Sequence, residues 1–265
     1  MTEPFQSKTA RQHACFLQHN VTAGITTRQS GYSEVPYDSL NMGLHVSDLK
    51  ESVIKNRRAL AEELNLPLSQ WVMGEQVHGT QIKVVDHSHK GRGAFSLKKA
   101  IGGVDGLITN QKDILLTAFY ADCVPLLFLD PSSKWIGVAH AGWKGTVSGM
   151  AGAMISKMAE HGAELSTLLM IIGPSISQKH YEVDQRVVNH IPSSYCSQVL
   201  TEGSEGKFNL DLKELNRRIA VDNGLSLNNI LVSSYCTYDD EHLFYSHRRD
   251  QGQTGRMLAY IGWTS

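Results

Sequence analysis

Residues 114–145 read ILLTAFYADCVPLLFLDPSSKWIGVAHAGWKG. Three short apolar runs, at 114–118, 125–129 and 135–139, have the length of buried strands rather than of helices. The first two are interrupted by Tyr120-Ala121-Asp122-Cys123-Val124, a polar break inside strand-like sequence that predicts a turn. Working outward, similar runs at 81–85, 168–172 and 230–234 predict further strands. Helical spacing appears at 52–65, where Val53, Ile54, Leu60, Ala61 and Leu64 recur before Pro67. It appears again through Val147, Met150, Ala151, Met154, Ile155 and Met158, which predicts one helix stopped by Gly162. The methionine stripe there suits core packing. Residues 211–223 are a third helix. Strands and helices mixed without regular alternation predict an α+β protein of layered sheets and helices.

No repeat, low-complexity tract or Pro/Gly/Ser linker divides the chain, so one domain is expected over residues 1–265. Hydrophobic residues make up 41% and charged residues 19%, a composition that excludes a disordered or membrane-embedded chain. The 25 Lys plus Arg against 26 Asp plus Glu leave no broad basic surface for a nucleic-acid backbone. Residues 1–20 lack the apolar core of a secretory signal, and no stretch approaches the roughly 18 apolar residues of a membrane span. A cytoplasmic protein is expected. Cys15, Cys123, Cys196 and Cys236 form no Cys-x-x-Cys pair and are too sparse for a disulfide framework. Nothing in the sequence specifies an oligomeric state.

Three segments place a metal-ligating side chain where a strand begins or ends: His78 in Gln76-Val77-His78-Gly79, Cys123 in Ala121-Asp122-Cys123-Val124-Pro125 and His140 in His140-Ala141-Gly142-Trp143. Two imidazoles and a thiolate match the preference of zinc, and three protein donors leave a position for water or substrate. Taken singly, a cysteine is more often a small buried hydrophobe and a histidine a satisfied polar group. Separations of 45 and 17 residues are also no local metal motif.

His78 in EQVHGT, Asp105-Gly106 in GVDGLIT, Cys123 in YADCVPLLFLDP and His140 in VAHAGWKGT resemble the YfiH-like laccase-domain family. Its members are described as purine nucleoside phosphorylases and formerly as polyphenol oxidases. The resemblance continues in the same order through Thr26-Thr27-Arg28, Pro36 to Asn41, Asn56-Arg57-Arg58, Gly173 to Ile176, Tyr181-Glu182-Val183, Cys236-Thr237, Phe244 to Asp250 and Thr254-Gly255-Arg256. It implies packed mixed β-sheets flanked by helices, and zinc on His78, Cys123 and His140. It also implies phosphorolysis of adenosine, inosine, guanosine and methylthioadenosine, with adenosine deaminase activity. Lys179-His180 departs from the family, where many relatives carry cysteine.

Phosphorolysis needs cations for the phosphate, and Arg28, Lys144, Arg248 and Arg249 are the cations nearest these motifs. An exposed pair near the C-terminus is an equally ordinary reading of Arg248 and Arg249. Asn41 suits a ribose hydroxyl or, more commonly, a turn. Deamination needs a metal-activated water at the purine C6 and a carboxylate. Asp122 is the nearest, as a proton-handling residue or simply a turn cap, with Glu75 a weaker rival. The phosphate-cradling loops Gly-x-x-x-x-Gly-Lys-[Ser/Thr] and Gly-x-Gly-x-x-Gly are absent, which points to nucleosides rather than nucleotides.

Alternatives are a cysteine hydrolase using Cys123 and His140, a copper-dependent polyphenol oxidase, and a non-catalytic sensor of a nucleoside or cell-wall precursor. The oxidase reading has few ligands, since His87-Ser88-His89 is the only His-x-His pair and reads as a polar turn.

Overall fold

Strands covered on both faces account for the near-continuous apolar runs. In the computed structural model, which describes residues 3–7, 11–14, 16 and 19–263, two six-stranded mixed sheets share a core and carry helices on their outer sides. One sheet runs in the order β1 (Phe5–Ser7), β2 (Arg11–Ala14), β3 (Val21–Thr26), β15 (Met257–Trp263), β7 (Leu115–Tyr120), β4 (Trp71–Met73). The other runs β14 (Ile230–Val232), β10 (Leu169–Ile172), β8 (Val124–Asp130), β9 (Trp135–Ala141), β6 (Gly106–Thr109), β5 (Ile82–Val84). A small third sheet joins β11 (Glu182–Asp184), β13 (Lys207–Leu210) and β12 (Leu200–Glu202).

The pleat of β8 shows the layering. Leu127 and Leu129 enter the core between the sheets, with Ile25, Leu116 and Ile261. Leu126 and Phe128 point the other way, to Met154 and Met158 of α3 (Met150–Glu160) and Leu215 and Ile219 of α6 (Leu212–Asp222). On the far side of the first sheet, Trp71, Leu115 and Tyr260 pack with Leu60 and Ala61 of α1 (Lys50–Leu64). Each such side chain contributes about 1.5–3 kcal/mol when fully buried.

The three helices form near their predicted places. Asn65 closes α1 in the left-handed conformation, and the Asp211 carboxylate caps α6 by accepting from Glu214 N at 2.9 Å. The single helix expected through Val147 and Met158 is corrected to two. Val147 ends α2 (Trp143–Val147), and α3 starts only after Gly149, whose φ of 85° no right-handed helix can continue through. Strands β3 and β15 were not anticipated, because Thr22, Gly24 and Gly262 dilute their apolar pattern and the two pair across most of the chain. Cys15 lies outside the described residues. Among the described residues, no helix is long and apolar enough to cross a membrane.

The β8–β9 hairpin is pinned at its closed end by Asp130, which is fully buried. Its carboxylate accepts from Thr167 Oγ1 at 2.7 Å, Ser132 N at 3.1 Å, Glu164 N at 3.0 Å and Ser133 N at 3.3 Å. Burial pushes its carboxyl up, but these donors and the Ser133 hydroxyl hold it below its ordinary value. A carboxyl depressed by folding contributes stability that is present above its unfolded pKa, roughly 3.9, and is lost as pH falls through the folded value. Asp130→Asn is expected to lower unfolding free energy by about 2–4 kcal/mol at neutral pH. Denaturant titrations should show that deficit shrinking below about pH 4; a deficit independent of pH would remove the charge from the explanation.

Candidate metal centre

At the open end of the same hairpin, register brings two of the expected ligands together. Pro125 pairs with His140 and Val124 with Ala141, so Cys123, one residue before β8, falls beside His140. The third comes from the loop between β4 and β5, which returns alongside β6 through the parallel pair Ile82 and Gly106. One ligand atom each from His78, Cys123 and His140 lies within 4.8 Å of the others, and the two imidazoles meet edge to face at 4.7 Å.

Asp105 organises this convergence. Its Oδ1 accepts from His140 Nδ1 at 2.9 Å and from His78 N at 3.0 Å. Its Oδ2 accepts from Val77 N at 3.0 Å and Gly79 N at 2.8 Å. The three amides hold His78 at a φ of 60°, a left-handed conformation rare for this residue type. With Nδ1 turned to Asp105, the Nε2 of His140 is the ring nitrogen available to a metal. Burial pushes the Asp105 carboxyl up, but the His140 ring and the Gly79 and Val77 amides bring it below its usual range. Sequence inspection quoted Asp105 as part of a motif yet assigned it no role. The usable signal was chemical, since a ligating histidine generally gives its other nitrogen to a carboxylate or carbonyl.

The donor set fits a thiophilic cation. Burial alone pushes the Cys123 thiol up, yet His140 and His78 draw it well below its ordinary value. Burial likewise disfavours charge on His140, but Cys123 and Asp105 raise it. Gly142 leaves the space: a Cβ there would stand 2.9 Å from His78 Cδ2 and 3.0 Å from Cys123 Sγ. Below, the buried Tyr120 ring lies 5.6 Å from that of His140, and its hydroxyl donates to Ala139 O at 2.8 Å.

The remaining predicted residues separate into those beside the trio and those elsewhere. Asp122, with φ 83°, is buried. Its Oδ1 accepts from Thr237 Oγ1 and its Oδ2 from the Arg248 amide, both at 2.7 Å. Both oxygens are therefore engaged in anchoring the C-terminal loop to the Cys123 turn. Arg248 donates from Nη1 to the carbonyls of His180 and Glu182 at 3.3 and 3.1 Å and lies 5.2 Å from the Tyr181 ring centre. His180 is held at 2.6 Å by Asp239 and stacks on Tyr238.

Arg249, expected at the phosphate, is engaged within the chain. Its guanidinium donates to the Asp250 carboxylate and to the carbonyls of Thr237, Tyr238 and Phe244, which leaves it a loop clamp. Asn41, expected at a ribose hydroxyl or a turn, is engaged likewise. It is fully buried and its amide is taken by Gly43, Asp48 and the Arg256 N–H, so no group remains for a ribose. Arg28 is tied to Asp38 and Glu241 in a different cleft. Lys144 is exposed and sits over the Trp143 ring at 5.7 Å. His87 to His89 form a capped polar turn, as expected. Two residues near the trio were given no role by the sequence, although Arg256 stands in a resembling segment. The His45 ring is within electrostatic reach of Arg256, His140 and His78, and Arg256 is within reach of Cys123 and Asp122.

Comparison with known proteins agrees with this architecture. Residues 22–264 match the family model described as multi-copper polyphenol oxidoreductase laccase. The chain is 44% identical over 245 residues to purine nucleoside phosphorylase YlmD of Bacillus subtilis, covering 91% of this chain and 88% of that protein. The crystal structure of YlmD from Geobacillus stearothermophilus superposes with a TM-score of 0.95 at 43% identity over 100% of both chains. That of the Bacillus licheniformis hypothetical protein YfiH gives 0.94 at 39%, covering 98% of this chain and 99% of that one.

Proposed function

The chain belongs to the multi-copper polyphenol oxidoreductase laccase family, and from that premise we propose that it is a zinc-dependent purine nucleoside phosphorylase. Its substrates are adenosine, inosine, guanosine and methylthioadenosine, with deamination of adenosine as a second reaction of the same site. The observation that carries this reading is the His78, Cys123 and His140 trio braced by Asp105, with Arg248 moored beside it through Asp122. Two imidazoles and a thiolate favour zinc over hard cations such as magnesium, and leave it a coordination position for substrate. Zinc held there supplies a Lewis-acid centre that stabilises developing negative charge.

The chain's own residues do the positioning. In phosphorolysis a phosphate oxygen bonds to ribose C1′ while the C1′–N9 bond breaks, and the purine leaves with that electron pair and takes up a proton. Arg248 offers the anion charge-assisted hydrogen bonds, Asp122 fixes the Arg248 backbone, and Tyr181 lies against its guanidinium. Lys144 is the alternative point charge. In deamination a water oxygen bonds to purine C6 while the C6–N6 bond breaks and the amino group, taking up a proton from that water, leaves as ammonia; no phosphate is needed, so the two reactions should depend on Arg248 unequally.

The oxidase reading is disfavoured because the described residues contain one such group of metal-holding side chains, whereas a multicopper centre requires several. The test is a paired assay of zinc-loaded protein on adenosine, with and without phosphate. Adenine should appear only with phosphate and inosine regardless of it. Arg248→Ala should lower adenine formation roughly ten- to more than a hundredfold, as expected for a charged hydrogen bond of about 1.5–3 kcal/mol, and inosine formation much less. Zinc-loaded wild type that binds adenosine yet forms no adenine overturns phosphorolysis and favours a sensor.

A further inference from the structure

Of the arginines Arg28, Arg57, Arg248, Arg249 and Arg256, the first four have their charge or their donors engaged within the chain or by the proposed phosphate. Arg57, buried under Phe119, donates to the carbonyls of Met42, Gly93 and Ala94. Arg249 is filled by Asp250 and three carbonyls, and Arg28 is paired with Asp38. Arg248 faces the proposed phosphate. Arg256 is different. Its Nη1 donates to the carbonyls of Thr254 and Gly255 at 2.8 and 2.9 Å, and its Nε and Nη2 have no acceptor among the described residues. No carboxylate among those residues forms an ion pair with it.

The side chain is nevertheless held firmly. The Arg256 amide donates to Asn41 Oδ1 at 2.9 Å, and its carbonyl accepts from Met42 N at 3.0 Å. Its Cγ passes so close to Gly43 that a Cβ on that residue would stand 2.8 Å away. Asn41 thus fixes the start of β15 and with it Arg256. The carboxylate within electrostatic reach is Asp122, whose two oxygens already accept from Thr237 and Arg248. Cys123 lies within the same reach. The antiparallel pairing of Met257 with Tyr120 carries Arg256 to the position opposite Ala121, two residues before Cys123. A largely buried guanidinium without a counter-ion is costly until an anion arrives.

We propose that Arg256 is a second phosphate-binding residue, its free edge closing with Arg248 on an oxyanion beside Cys123. The proposal rests on the phosphorolysis reading, and orthophosphate is the anion it names. An arginine fork matches two phosphate oxygens, and two forks fix both its position and its orientation.

The experiment uses zinc-loaded full-length protein, its Arg256→Lys and Arg256→Gln variants, calorimetric titration with inorganic phosphate, and steady-state kinetics with inosine. Arg256→Gln should raise KM for phosphate roughly ten- to a hundredfold, and Arg256→Lys should restore part of that loss. KM for inosine and zinc content should stay within about threefold of wild type. The calorimetric affinity for phosphate should fall in parallel. Unchanged phosphate affinity, or equal losses for inosine and phosphate, overturns the proposal in favour of a structural arginine. If Arg256→Gln fails to fold, Arg256→Lys decides by the same split between the two KM values. Wild type that binds phosphate without cleaving inosine overturns the phosphorylase reading alone, because the calorimetric comparison still judges Arg256; wild type that binds no phosphate overturns both.

Discussion

Replacing Cys123 with Ala is expected to remove the metal and essentially all phosphorolysis while leaving the fold intact. The thiol lies in the turn before β8, only half-buried, and supports no secondary structure through its side chain. Its loss leaves two imidazoles, and two neutral donors hold zinc far less well than two donors and a thiolate. Elemental analysis should fall from about one zinc per chain toward zero. A Lewis acid contributes several kcal/mol to the transition state, so the rate with inosine should drop by roughly three orders of magnitude or more. Circular dichroism and melting temperature should match those of metal-free wild type. Activity lost with zinc fully retained would point instead to Cys123 as the nucleophile of a hydrolase.

The second large effect is expected at a residue that touches no substrate. Asp105→Asn keeps the size of the side chain but replaces one acceptor oxygen by an amide donor, facing Val77 N, Gly79 N or the His140 ring. The His78 loop loses a brace and His140 loses the carboxylate that sets its tautomer. Metal affinity, measured by competition with a chromophoric chelator, should weaken about 10- to 100-fold. Phosphorolysis at limiting zinc should fall in proportion, and excess zinc should recover much of it. That recovery separates Asp105 from Cys123, where added zinc has no complete donor set to occupy. Unchanged metal affinity with a lowered melting temperature would reduce Asp105 to a loop brace.

The pattern of correct and corrected expectations follows from the range of the forces involved. Residues 114–141 were legible as strands because burial on both faces writes itself as unbroken apolar sequence. The extents of α1 and α6 were legible because apolar spacing is a local signal, which ended near Asn65 and began near Asp211. The helix expected across Ser148 and Gly149 failed because apolar spacing continues through a glycine whose left-handed backbone ends the hydrogen-bond ladder. Arg248 and Arg249 are neighbours of identical chemistry, and their sequence gives no reason to treat them differently. Only the fold surrounds Arg249 with carbonyls and Asp250 and leaves Arg248 at the trio.

By itself the sequence determined the class of fold, six of the strands and the three longer helices, and it offered His78, Cys123 and His140 as possible metal ligands. The elements follow from local period, whereas the choice of those three side chains as one ligand set came from the resemblance to the laccase-domain family. The tertiary structure alone decided that Asp105 commands the His78 loop, that Asn41 is a brace, and that Arg256 lies within reach of Cys123. Each of these is a hydrogen bond or charge contact between segments 27 to 215 residues apart. Such contacts exist only once sheet register has set which chain ends meet, and register is a property of the whole sheet rather than of any one segment.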